Sequence, residues 1–153
     1  LRSDFLTCGP AIPAFESALA AASGQPHAVA AGTGTSALRL LYQAVGIGPG
    51  TRVGVPDITF LATASQAMML GAEVVLLDVD PDTGLLTPEI LEACSAPLDW
   101  VVPVHLCGRL CDMPALADIA HRRGIRLLED AAHALGSREA TWRPGDLSRD
   151  CLC

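Results

Sequence analysis

The stretch Gly124-Ile125-Arg126-Leu127-Leu128-Glu129-Asp130-Ala131-Ala132-His133 decides how this chain folds. Gly124 stops a helical pattern that Asp112 caps and that runs to about Arg123. Ile125 to Leu128 then reads as a short buried strand, with Glu129 and Asp130 at its carboxyl end and the small pair Ala131-Ala132 ahead of His133. A helix feeding a short apolar strand is the repeating unit of an open α/β sheet, and such sheets bind ligands beyond the carboxyl ends of their strands.

Working outward, the same alternation covers the chain. Trp100 to Val104 reads as a buried strand, Pro88 to Cys94 as a short helix with proline first, and Glu73 to Leu77 as another strand. Asp78 to Gly84 is a turn-rich loop. Pro56-Asp57-Ile58-Thr59 leads from a strand at Arg52 to Val55 into a helix from Phe60 to Leu70. Nearer the start, Pro13 to Ser23 is predicted helical up to Gly24, and His27 to Ala31 as a short strand. Gly32-Thr33-Gly34-Thr35 then opens a helix reaching about Val45. The pattern predicts a parallel or mixed sheet covered by helices, with no internal repeat or low-complexity linker.

Half of the 153 residues are hydrophobic, enough for one sizeable core. The formal net charge of -7 and sequence pI of 4.8 oppose binding to nucleic acid or an anionic membrane, so any phosphate must be held locally. No apolar run reaches the roughly 18 residues a membrane span needs. The opening LRSDFLTCGP has neither the basic start nor the apolar centre of a secretory signal, and, lacking methionine, is expected to follow a further upstream segment. Six scattered cysteines read as reduced thiols of a cytoplasmic protein. Cys107 and Cys111 with His105 fit no common zinc spacing, and no metal is expected.

Local chemistry singles out a few residues. The amides at Gly34 and Thr35, at a helix start, suit a phosphate, although a tight turn with a threonine cap explains them equally well. Asp130, at a strand terminus, suits a protonated heteroaromatic nitrogen; a helix cap or a ribose-binding acid are the competing readings, the latter weakened because no G-x-G-x-x-G is present. Phe60, at a helix mouth, is placed to lie on a planar ring or simply to fill a core. His133 is a candidate hydrogen-bonding partner for a cofactor oxygen, or a structural histidine, and His105 is a further candidate for the same crevice.

These elements, in this order, resemble the DegT/DnrJ/StrS family of sugar aminotransferases. The resemblance is carried by LRSDFLTCGP with Phe15-Glu16, HAVAAGTGTSALRLL, GIGPG, VPDITFLATASQAMMLGAEVVLLDVDPDTG, VVPVHLCGRLCDMPAL and GIRLLEDAAHALGS. It implies the three-layer α/β/α fold of the aspartate aminotransferase type, whose large domain has a mixed, mostly parallel sheet, with residues 1–147 forming an incomplete part of that pyridoxal-phosphate-binding domain. It also implies that Gly34 and Thr35 hold the cofactor's phosphate, that Phe60 stacks on its ring, that Asp130 meets the ring nitrogen and that His133 lies near the phenolic oxygen. The implied activity is transfer of an amino group from a donor such as glutamate to a nucleotide-linked keto-sugar, by a cytoplasmic homodimer, in amino-sugar biosynthesis for a surface polysaccharide or a secondary metabolite. Gly32-Thr33 and Arg52-Val53-Gly54-Val55 depart modestly from the family pattern.

The larger departure is at residues 148–153, an aberrant or truncated tail where the family continues into a strand bearing Ser-Phe and then its Schiff-base lysine. The sequence contains no lysine, and its ten arginines stay protonated and cannot replace one. No catalytic residue is therefore assigned. Two alternatives stay open: a sugar dehydratase of the same family, with histidine in place of the lysine, and a remnant without turnover. Reading the DNA beyond Leu147 in all three frames is expected to reveal Ser-Phe followed within a few residues by lysine; histidine there favours the dehydratase, and no such continuation in any frame excludes a frame error.

Overall fold

The computed structural model describes Phe5, Thr7, residues 9–148 and the backbone of residues 150–152. Most of LRSDFLTCGP therefore lies outside the described residues. Successive side chains of a strand point to opposite faces of its sheet. The strands are β1 (Arg52–Pro56), β2 (Glu73–Leu77), β3 (Trp100–Val101), β4 (Arg126–Asp130) and β5 (Asp150–Leu152). They form one sheet in the order β2-β1-β3-β4-β5, and every ladder is parallel. Residues 150–152, within the expected tail 148–153, thus run as β5, with Asp130 opposite Leu152.

Among the described residues the α-helices are α1 (Ala11–Ser23), α2 (Gly34–Ala44), α3 (Leu61–Met69), α4 (Pro88–Ala93) and α5 (Met113–Arg123). Capping explains several of their ends. The Thr33 side chain accepts the Ser36 N–H at the start of α2, Thr87 that of Ile90 in α4, and Asp112 that of Ala115 in α5. Gly24 and Gly124, both left-handed, close α1 and α5.

Side-chain alternation divides the core into two layers. Val53, Val55, Trp100, Val102 and Leu128 face α2 and α3, packing with Leu38, Tyr42, Ala62 and Ala67. Leu77 and Val101 face the other way, onto Leu91 of α4 and Met113, Leu116, Ile119 and Ala120 of α5. The result is the expected α/β/α sandwich. Among the described residues no helix is long and apolar enough to cross a membrane.

Three sequence expectations need correction. Residues 27–31 form no ladder with any of β1 to β5; the Ala30 N–H bonds the Glu16 carboxylate instead, at 2.9 Å. The strand expected over Trp100 to Val104 pairs only through Val101. Pro103 has no N–H to continue the ladder, and a single bridge from Val104 to Asp130 resumes it. Finally, β4 extends through Asp130, so both acids lie within the strand and alternation turns them to opposite faces.

Gly54 is closely packed: a Cβ there would sit 2.9 Å from Leu98 Cδ1 and 3.0 Å from Leu77 Cδ1, so both leucines would have to shift. Gly54→Val is expected to cost about 1–3 kcal/mol by overpacking, read from urea unfolding. A second expectation concerns Cys111, whose thiol is buried and donates to the Val104 carbonyl. Burial, reinforced by the Glu129 charge, pushes it up to about 12 from an ordinary 9.0. Because the folded value is raised, its contribution to stability is complete below pH 9 and is lost as pH climbs toward 12, by about 1.4 kcal/mol per unit at most. Cys111→Ala should flatten that alkaline slope, and at pH 8 iodoacetamide should label exposed Cys107 well before Cys111.

Candidate functional site

The sheet reverses its winding between β1 and β3: from β1 the chain crosses to β2 on one side, then returns to β3 on the other. Crevices at the carboxyl ends of strands open at such a point. The loops after β1, β3 and β4 meet there around a cavity of about 530 Å³. Gly34, Thr35, Phe60, Asp130 and His133 all line it, together with Leu38, Thr59 and Leu106. The five residues singled out from sequence, spread over a hundred positions of chain, share one wall.

At the start of α2, the Thr33 cap engages the Ser36 amide at 3.1 Å. Gly34 and Thr35 precede it, and their amides have no intrahelical carbonyl to bond. The cap and an anion site therefore coexist: the side chain takes the third amide and leaves the first two. A Cβ at Gly34 would meet nothing within 4 Å, and its φ is not positive, so neither packing nor backbone conformation demands glycine. Its lack of a side chain keeps the helix start open to a docked group.

Asp130 is buried, and both of its carboxylate oxygens are held. Oδ2 accepts the Thr63 hydroxyl at 2.9 Å and Oδ1 the Ala132 N–H at 3.2 Å. Each oxygen retains a lone pair for a further donor. Below, buried Tyr42 donates its hydroxyl to the Thr63 carbonyl at 2.8 Å. Burial, with the charge of Asp130 adding to it, pushes the Tyr42 phenol far above its ordinary value, so it remains a donor at any physiological pH.

His133 accepts the Cys107 N–H on Nδ1 at 3.2 Å. The ring proton therefore sits on Nε2, making that nitrogen a donor. Cys107 makes this bond from a left-handed conformation, φ 55°, the only positive value among the described non-glycine residues. Phe60 lies at the rim, 72% exposed, which a core-filling aromatic would not be.

His105 does not join the crevice. It is fully buried on the opposite face, where Nε2 donates to Glu129 Oε2 at 2.9 Å and Nδ1 accepts the Cys111 N–H at 3.2 Å. Glu129 Oε1 also accepts the Gly145 N–H at 3.1 Å and the Ser148 hydroxyl. With its side chain spent in this way, His105 is a structural residue. Thr63 and Thr59 were not singled out from sequence; the signal available was their i, i+4 spacing at a helix mouth, which places them on one face.

Comparison with known proteins agrees with this architecture. The chain is 45% identical over 140 residues to the 3-amino-5-hydroxybenzoate synthase of Amycolatopsis mediterranei strain S699, covering 91% of itself and 36% of that protein. The chain thus spans about a third of this relative's length. Among solved structures, DesI, studied in the presence of its TDP-sugar product, superposes with a TM-score of 0.83 at 40% identity, over 92% of this chain and 36% of that one. A putative sugar aminotransferase from Streptococcus pneumoniae, solved in PLP and PMP forms, superposes at 0.87 with 28% identity, over 96% of this chain and 42% and 41% of those. The matching family is one of aminotransferases, and the Streptococcus pneumoniae relative takes PLP and PMP. With the family model matching residues 1–151, nearly its whole length, this chain belongs to the DegT/DnrJ/EryC1/StrS aminotransferase family.

Proposed function

We propose that residues 1–147 are part of the cofactor-binding large domain of an aminotransferase that passes an amino group from glutamate to a nucleotide-linked keto-sugar. The observation that carries this reading is the gathering of Gly34, Thr35, Phe60, Asp130 and His133 around one cavity at the carboxyl edge of the sheet. The TDP-sugar product named for DesI supports a sugar nucleotide as acceptor. A second acceptor class is favoured by the 45% identity to 3-amino-5-hydroxybenzoate synthase, whose product carries its amine on a carbon ring. The proposed assembly is a homodimer and the proposed compartment the cytoplasm.

The residues present fit pyridoxal phosphate. Gly34 and Thr35 offer unpaired amides, and the helix dipole behind them, to its phosphate. Phe60 offers a flat, accessible face to its ring. Asp130 offers carboxylate oxygens to the ring nitrogen and would hold a proton on it. His133 offers an Nε2–H donor to the phenolic oxygen. The cofactor, when bound, supplies an electron sink for the pair released as a substrate C–H bond breaks. A lysine to carry it covalently and move the proton is not among the 153 residues, so the chain alone is proposed to be catalytically incomplete.

The test uses the chain extended with the family's lysine-bearing remainder. Given glutamate and a TDP-keto-hexose it should yield an amino-sugar by mass spectrometry, whereas turnover of only a carbocyclic ketone would favour the second acceptor class. Asp130→Asn should lower kcat/KM at least about a hundredfold, or about 2.7 kcal/mol. Activity within about twofold of the parent would remove the role given to Asp130. The 153-residue chain itself, mixed with pyridoxal phosphate and reduced with borohydride, should carry an adduct only at its N-terminal amine; measurable transamination by it would overturn the incompleteness.

A further inference from the structure

We propose that Thr63 is a positioning residue for the reaction, fixing the aim of the Asp130 carboxylate through a directed hydroxyl chain that begins at Thr59; this rests on the cofactor reading given above. Thr63 is fully buried in the first turn of α3. A threonine in a helix ordinarily returns its hydroxyl to a carbonyl three or four residues earlier. Here it reaches across 67 residues of sequence to Asp130 Oδ2 at 2.9 Å.

The direction of each proton follows from valence. An ionised carboxylate only accepts, so Thr63 is the donor to Asp130 and its single proton is used there. The Thr59 and Thr63 hydroxyl oxygens lie 3.1 Å apart, so Thr59 must donate to Thr63. Thr59 lines the cavity, placing the outer end of the chain where a ligand docks and the inner end on the acid beneath it. Ala132 N–H pins the other carboxylate oxygen, so both side-chain torsions of Asp130 are set. Tyr42 secures the same turn of α3 through the Thr63 carbonyl.

A space-filling role alone does not account for this arrangement. Valine has nearly the same shape and would fill the site without burying a hydroxyl, whose desolvation is offset only by its bond to the carboxylate. The hydroxyl therefore serves Asp130, leaving it one open lone-pair direction on each oxygen.

The experiment compares the 153-residue chain with Thr63→Val, Thr63→Ser and Asp130→Asn. In the absence of ligand, three-bond NMR couplings should show one χ1 rotamer for Asp130 in the parent and Thr63→Ser, and averaging in Thr63→Val. A single rotamer in Thr63→Val overturns the proposal. Should Thr63→Val fail to fold by circular dichroism, Thr59→Val reads the chain from its other end: averaging supports the proposal, and an unchanged rotamer overturns it. The second measurement is the preference for pyridoxamine phosphate over its 1-deaza analogue, which lacks the ring nitrogen and needs no lysine to bind. The parent and Thr63→Ser should prefer the natural ring by about tenfold, the worth of one charge-assisted hydrogen bond, and Thr63→Val should lose at least about threefold of that. Loss of preference in Asp130→Asn with full retention in Thr63→Val overturns the role of Thr63. No preference in parent or Asp130→Asn instead removes the ring-nitrogen reading, and the rotamer comparison then decides the positioning claim on its own.

Discussion

A carboxylate buried away from water must be surrounded by donors, and Glu129 obtains them from two separate segments of chain, tying three together. The His105 imidazole comes from the loop after β3, the Gly145 amide and the Ser148 hydroxyl from the segment that enters β5, and the acid itself from β4. Removing one partner from such a buried arrangement leaves an acceptor unsatisfied, at a cost of about 1–3 kcal/mol or more. The network thus ties the carboxyl edge of the sheet together from behind. It also settles the order of the loop at 105–111, since His105 Nδ1 takes the Cys111 amide while Cys107, four residues earlier in that loop, presents its amide to His133.

The front of the same edge is built from what remains. Asp130 occupies the next position in β4, facing α3, and takes its donors from Thr63 and Ala132. Two acids one residue apart therefore have separate duties: one is saturated with donors and fastens loops, the other is held by two and keeps acceptor capacity toward a cavity. Low polarity around both makes each hydrogen bond count for more than it would in water, and makes an unfilled one more costly.

Much of the fold was legible because apolar alternation and helix punctuation agree along the chain. Asp112 and Gly124 bracket α5 as read, and Glu73 to Leu77 is β2 without adjustment. The failures have physical causes. Residues 27–31 have strand composition, yet a strand exists only by pairing, and composition does not reveal whether a neighbour is there. Pro103 shortened β3 by removing one amide, an effect visible in the letters but outweighed by the surrounding valines. At the site, Gly34, Thr35, Phe60, Asp130 and His133 were reached chiefly through resemblance, and the structure brings them to one cavity. Thr63 was missed because its partner is 67 residues away, and no local spacing encodes a contact of that range. His105, a further candidate for the crevice, lies on the other face for a related reason: a residue after a strand has no fixed parity once the ladder has ended.

The division of labour between Glu129 and Asp130 depends on nothing more than the two-residue period of a strand. Their side chains could be exchanged in duty by a shift of one position along β4, which would bring the fastening acid to the cavity and the cavity acid to the loops. The register opposite β3, Trp100 with Arg126 and Val101 with Leu127, is what prevents this. In evolutionary terms, this segment should accept changes of side chain at Leu127 or Leu128 far more readily than any change in length. A single codon inserted before Glu129 would leave every functional residue type present in the gene and neither acid in its working place.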